Sequence, residues 1–277
     1  MARDLATAHP RMLGTVFSKT LRDQRRSLLW WTLGFAGTVL LYSAFWPSIR
    51  DNAAELTRYV ERMPEFMRNL IGDVDYGTAE GYIQSEVFSF LGPILLLVYA
   101  VGAGSRAIAG EEEAGSLDLL LSMPVRRARV LLDKFWAMLL PTFWLVFAMW
   151  LGLVAFGPAF DLRPGLEGFT AASLNLFLLA MAFGTIALAT GAATGSKGLA
   201  VGVTSGIALV TFILNTLAPS VDWLEPYRVL SPFHYYAGGD PMLNGFAPAH
   251  AMVLAAITVV ALGVALVAFD RRDLAAA

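Results

Sequence analysis

The residues with the most chemistry in them lie in one short stretch, Glu111-Glu112-Glu113-Ala114-Gly115-Ser116-Leu117-Asp118-Leu119-Leu120-Leu121-Ser122-Met123-Pro124-Val125-Arg126-Arg127. Three consecutive acids precede Gly115, where a turn is easy. Ser116 is placed to cap a short helix whose apolar face is Leu117, Leu120 and Leu121. Pro124 ends that helix. Residues 125–134 then carry a basic face, with Arg127 and Lys134, into the next apolar run. This pattern breaks no bonds. A compact, highly charged helical hairpin between two apolar runs suits docking of another molecule.

Other chemistry-bearing patterns fail on spacing or context. Gly102-Ala103-Gly104-Ser105-Arg106-Ala107 fits a relaxed dinucleotide fingerprint, but it ends an apolar run and no strand–turn–helix unit surrounds it. Gly191-Ala192-Ala193-Thr194-Gly195-Ser196-Lys197-Gly198 resembles a phosphate loop. It is one residue short, and Gly198 stands where Ser or Thr must follow the lysine. The chain is therefore expected not to hydrolyse ATP and to hold no cofactor. His9, His234 and His250 are too scattered for a metal site. The absence of cysteine removes disulfides, thiolate zinc sites and cysteine nucleophiles, and no nucleophile elbow is present.

The elements that must position the charged stretch are set by composition. Of 277 residues 57% are hydrophobic and only 15% charged, with mean hydropathy +0.60, against about 25% charged in a typical soluble domain. A net charge of −2 leaves no cationic excess for nucleic acid. Six apolar runs, at 28–46, 87–105, 135–156, 169–194, 199–218 and 249–269, are each about long enough to cross a bilayer core of roughly 30 Å. Lipid offers backbone groups no partners, so each run is expected to be helical. The expected fold is an all-α integral membrane protein forming one domain over 1–277. Fourteen of the twenty Lys and Arg residues flank one set of ends and six the other, which predicts that both termini are cytoplasmic. No span carries a charge near its middle, so no energy-coupling device is built into the bundle.

Residues 10–26 place Met12, Leu13, Val16, Phe17 and Leu21 near one helical face, with Arg11, Lys19, Arg22, Arg25 and Arg26 largely elsewhere. That predicts a separate amphipathic helix lying in the membrane surface. Short outer helices are expected near 53–60 and 64–71. The segment 219–248 is expected to form interfacial or re-entrant helices, with Trp223, Tyr227, Phe233, Tyr235 and Tyr236 at headgroup level. Gly198, Gly202 and Gly206 form a small-residue stripe for helix packing, either within the bundle or onto a second subunit.

The stretch at 111–127, followed by Lys134, resembles the permease subunits of type-2 ATP-binding-cassette (ABC) transporters, a family that includes bacterial exporters. Ser116 stands where the family more often has threonine. Residues 64–72, Gly81-Tyr82 and Leu230-Ser231-Pro232-Phe233 resemble further family segments in the expected order. The resemblance implies that 106–134 holds a coupling helix seated in a separate ATPase subunit, with 10–26 as an interface helix beside it. It further implies that ATP and Mg²⁺ are bound by that partner, that two permease copies form the working unit in the cytoplasmic membrane, and that spans one, two and five line the pathway. The charge-free spans favour a hydrophobic or amphiphilic cargo. A membrane enzyme or assembly factor using the charged loop as a scaffold is the alternative.

Overall fold

A computed structural model of the protein describes residues 15–64, 67, 75–117 and 125–272. Every regular element among them is helical, and six helices are long and apolar enough to span a membrane: α1 (Thr15–Asp51), α2 (Ala79–Glu113), α3 (Arg127–Phe156), α4 (Leu166–Thr194), α5 (Lys197–Leu217) and α6 (Pro248–Arg271). Each expected apolar run falls inside one of them, save that 199–218 ends one residue beyond α5.

The most buried helix is α4, with α2, α3, α5 and α6 packed around it, and α1 lies along α3. This follows from composition. Small residues on α4 let its neighbours approach closely, and the tightest crossing is with α2, where a Cβ on Gly104 would stand 2.1 Å from the carbonyl oxygen of Gly184. Trp31, Phe35, Val39 and Trp46 turn the inner face of α1 toward the core at helical spacing.

Several expectations are corrected. The first 12 described residues of the expected surface helix are continuous with the first span in one 37-residue helix, α1, about 55 Å long. No glycine or proline interrupts it before Gly34, so nothing in the sequence forces a bend. Lys19, Arg22, Arg25 and Arg26 are all exposed on its first turns; Arg11 lies outside the described residues. The charged loop is also shorter than 106–134, because α2 runs on to Glu113 and α3 begins at Arg127.

Helix α2 contains two π-helical segments, Gln84–Leu91 and Arg106–Gly110. At the end of the first, Gly92 N–H donates to Val87 O, five residues back. A side chain there would stand 2.5 Å from that oxygen, so the wide turn depends on the glycine.

Of the short helices, Ala53–Glu61 forms as expected, while 64–71 lies almost wholly outside the described residues. The segment after α5 forms short helices, Pro232–Ala237 and Pro241–Asn244 among them. Trp223 and Tyr227 are exposed, whereas Phe233 and Tyr236 are buried among the core residues of the bundle. The Tyr236 hydroxyl donates to Phe88 O (2.7 Å) and Asn175 Nδ2 to Tyr236 O (3.3 Å). A buried Tyr must find a hydrogen-bond partner, and the Phe88 carbonyl in the π segment supplies one.

Candidate functional site

The acidic stretch lies at the end of α2, and each acid reaches a different part of the bundle. Glu111 forms a salt bridge with Lys134 on α3, whose ammonium also donates to Thr20 Oγ1 on α1 (3.0 Å). The Lys134 side chain is only 3% exposed. Glu112 forms a salt bridge with Arg272 at the end of α6. Glu113 Oε1 accepts the backbone N–H of Lys197, the first residue of α5, at 2.8 Å. A carboxylate there takes up a donor that no helical carbonyl can reach and faces the positive end of the helix dipole.

Two arginines extend these ties. Arg272 also donates to Ala192 O at the end of α4 (3.0 Å). Arg127, at the start of α3, donates to Phe269 O (3.2 Å) and Arg272 O (2.7 Å) on α6, with its guanidinium 5.9 Å from the centroid of the Phe269 ring. These are last-turn carbonyls without helical partners. All six spanning helices therefore meet, directly or through one intermediary, at three consecutive glutamates.

The turn beyond them is built for exposure. Gly115 has φ +67 and open space where a side chain would lie, so a left-handed residue ends the helix at the surface. Ala114 and Gly115 are exposed, whereas Leu117 is fully buried with Ile108, Leu131 and Phe269. The Ser116 hydroxyl donates back to Glu111 O at 3.1 Å. It closes the helix before it; the forward cap expected from sequence would fall on residues 118 and 119, outside the described residues. Leu120, Leu121 and Pro124 lie outside the described residues.

The residues that sequence reasoning undervalued are Thr20, Lys134, Lys197 and Arg272. The usable signal was scarcity: in a chain with few charges, a charge at a helix end calls for a partner. Gly195, part of the phosphate-loop near-miss, is explained by the same network. It has φ +68, and a Cβ there would stand 2.7 Å from Arg272 Nη2 and 2.8 Å from Glu112 Oε1. The glycine ends α4 and leaves room for that salt bridge.

Two cavities flank the network. A polar one of about 500 Å³ is lined in part by Thr20, Asp23, Arg106, Glu111, Lys134 and Lys197. An apolar groove of about 480 Å³ runs between α2 and α5, from Gly102 and Val201 to Phe90, Phe212 and Phe233. Beside it Gly202 and Gly206 have nothing within 4 Å of a Cβ, and Gly198 only Ser196 Oγ at 3.9 Å. Among the described residues the stripe therefore packs against no other helix, so packing within the bundle does not account for it. The related small residues of α4 do pack internally, Gly191 against Ala109 and Ala200.

A family model described as ABC-2 family transporter protein matches residues 15–274. No curated protein matches the chain.

Proposed function

The chain belongs to the ABC-2 transporter family, a family of membrane transport components that work with separate ABC ATPase subunits, and on that premise we propose that it exports a hydrophobic or amphiphilic compound across the cytoplasmic membrane. ATP and Mg²⁺ are held by the ATPase. This chain supplies the passage and the lever. Both termini and the acidic turn face the cytoplasm, on the side richest in Lys and Arg.

The observation that carries this reading is the convergence of six helices on Glu111–Glu113 beside an exposed turn. A partner gripping the exposed Ala114-Gly115 turn would pull on α1 and α3 through Lys134, on α5 through the Lys197 N–H, and on α4 and α6 through Arg272. Rigid helices tied at one end move together, as alternating access requires. A second permease copy seats on the open α5 stripe, where absent side chains allow close backbone approach. It closes the α2–α5 side of the bundle into a shared pathway.

The chain has no native cysteine, so a single Ala114→Cys substitution gives an unambiguous cross-linking site. In membranes holding this chain and its partner ABC ATPase, the new thiol should cross-link to that ATPase and be labelled by an impermeant maleimide only from the cytoplasmic side. Gly115→Pro cannot adopt φ +67 and should abolish cargo-stimulated ATP hydrolysis while the chain still reaches the membrane. Labelling from outside, or undiminished stimulation in Gly115→Pro, would overturn the reading.

A further inference from the structure

The groove between α2 and α5 is apolar along its length, with Phe90, Ile94, Val98, Val101, Leu209 and Phe212 among its walls. From Phe90 to Gly102 it follows twelve residues of helix, about 18 Å, so its length suits an extended hydrocarbon chain. Its end nearest the acidic turn is different. Gly102 forms part of the wall, and the Arg106 guanidinium folds back over it, with atoms 3.6–3.8 Å from where a Cβ would sit. One turn on, the Arg106 stem and Lys197 Cδ flank Gly110, at 3.3 Å and 3.9 Å from a Cβ there. The Arg106 guanidinium thus stands at one mouth of the groove, and Lys197, the first residue of α5, lines with Arg106 the polar cavity that adjoins that mouth.

Among the described residues neither side chain is in an ion pair. This contrasts with Lys134 and Arg272, which hold Glu111 and Glu112. Of the acids lining the adjoining polar cavity, Glu111 is held by Lys134 and Glu113 sits on the Lys197 N–H, while Asp23 lines the wall from α1.

From this juxtaposition we infer that the α2–α5 groove binds an anionic amphiphile, with a phosphate-bearing headgroup between Arg106 and Lys197 and its hydrocarbon chain lying along Val101, Val98, Ile94 and Phe90. Arg can meet phosphate oxygens in a bidentate fork, and Lys adds a point charge. The occupant is a membrane lipid or lipid-like molecule entering from the leaflet at the basic end, where anionic headgroups concentrate. As cargo recognition this rests on the permease reading above; as a binding site it does not. The glycine stripe lies about 75° further round α5, so a second copy seated there would border the groove without filling it.

The full-length chain in non-ionic detergent, offered equal amounts of phosphatidylglycerol and phosphatidylcholine with the same acyl chains, is read by native mass spectrometry. Retention should favour phosphatidylglycerol by about thirtyfold for two basic contacts. Arg106→Gln with Lys197→Gln should bring the ratio close to one, and the charge-keeping pair Arg106→Lys with Lys197→Arg should preserve it. Val98→Trp, which fills the groove, should lower retention of both lipids, and inorganic phosphate should displace neither. An unchanged ratio in the glutamine pair overturns the inference. So does displacement by phosphate with Val98→Trp silent, which would mark a site for the free anion. The measurement needs no ATPase, so its failure leaves the permease reading standing, and failure of the Ala114→Cys and Gly115→Pro tests leaves the site standing.

Discussion

Removing one partner from the Glu111–Lys134 salt bridge should have unequal consequences on its two sides. The Lys134 side chain is 3% exposed, that of Glu111 29%. Glu111→Gln leaves a buried ammonium with Thr20 Oγ1 as its remaining strong acceptor, a change that typically costs about 3–5 kcal/mol. Lys134→Met fills the same space with an apolar chain and leaves a carboxylate that can rehydrate, which should cost only about 1 kcal/mol. The double variant removes both charges and should be no worse than about 1–2 kcal/mol, because well-packed neutral replacements of buried pairs are close to neutral. The cycle therefore predicts a coupling of about 2–5 kcal/mol. Unfolding in mixed micelles, titrated with sodium dodecyl sulfate and followed by circular dichroism, measures all four proteins. If the single variants cost the same small amount and add in the double, the salt bridge does not hold α1 and α3 to the end of α2, and the lever described above loses its first arm.

Gly104→Ala should destabilise by about 1–3 kcal/mol through overpacking, because its Cβ would stand 2.1 Å from a backbone oxygen that cannot rotate away. Gly206→Ala, with open space at the same test, should leave the monomer within about 0.5 kcal/mol or stabilise it; thermal unfolding of the two variants side by side checks the α2–α4 crossing. His234 lies outside the spanning helices. Burial, then the positive field of Arg228 and the neighbouring His250, hold its pKa below the ordinary 6.5. The folded state therefore binds fewer protons than the unfolded chain as pH falls through that value. Stability should be full above about pH 6.5 and decline below it, and His234→Gln should flatten the profile of unfolding temperature against pH.

The sequence alone determined the solvent and the elements. Long apolar runs in lipid can satisfy their backbones only as helices, so six spans and an all-α fold follow from hydropathy without any knowledge of contacts. The charged turn at Glu111–Gly115 was legible for a similar reason: charges are so rare in this chain that a cluster of them marks a site. Local pattern reached less far where distant residues compete for the same group. The bond from Ser116 to Glu111 O follows from how α2 ends, which local pattern does not specify. Phe233 and Tyr236 have the chemistry of interfacial aromatics, but the π segment of α2 offered a carbonyl in the core. Gly198, Gly202 and Gly206 announce close packing without naming a partner, and only the arrangement of α5 at the edge of the bundle leaves them facing outward. Above all, nothing in the spacing of Lys134, Lys197 and Arg272 ties them to three adjacent glutamates. Ion pairs depend on distance in space, which tertiary structure sets, whereas helix and membrane propensity depend on neighbours in the chain, which sequence already contains.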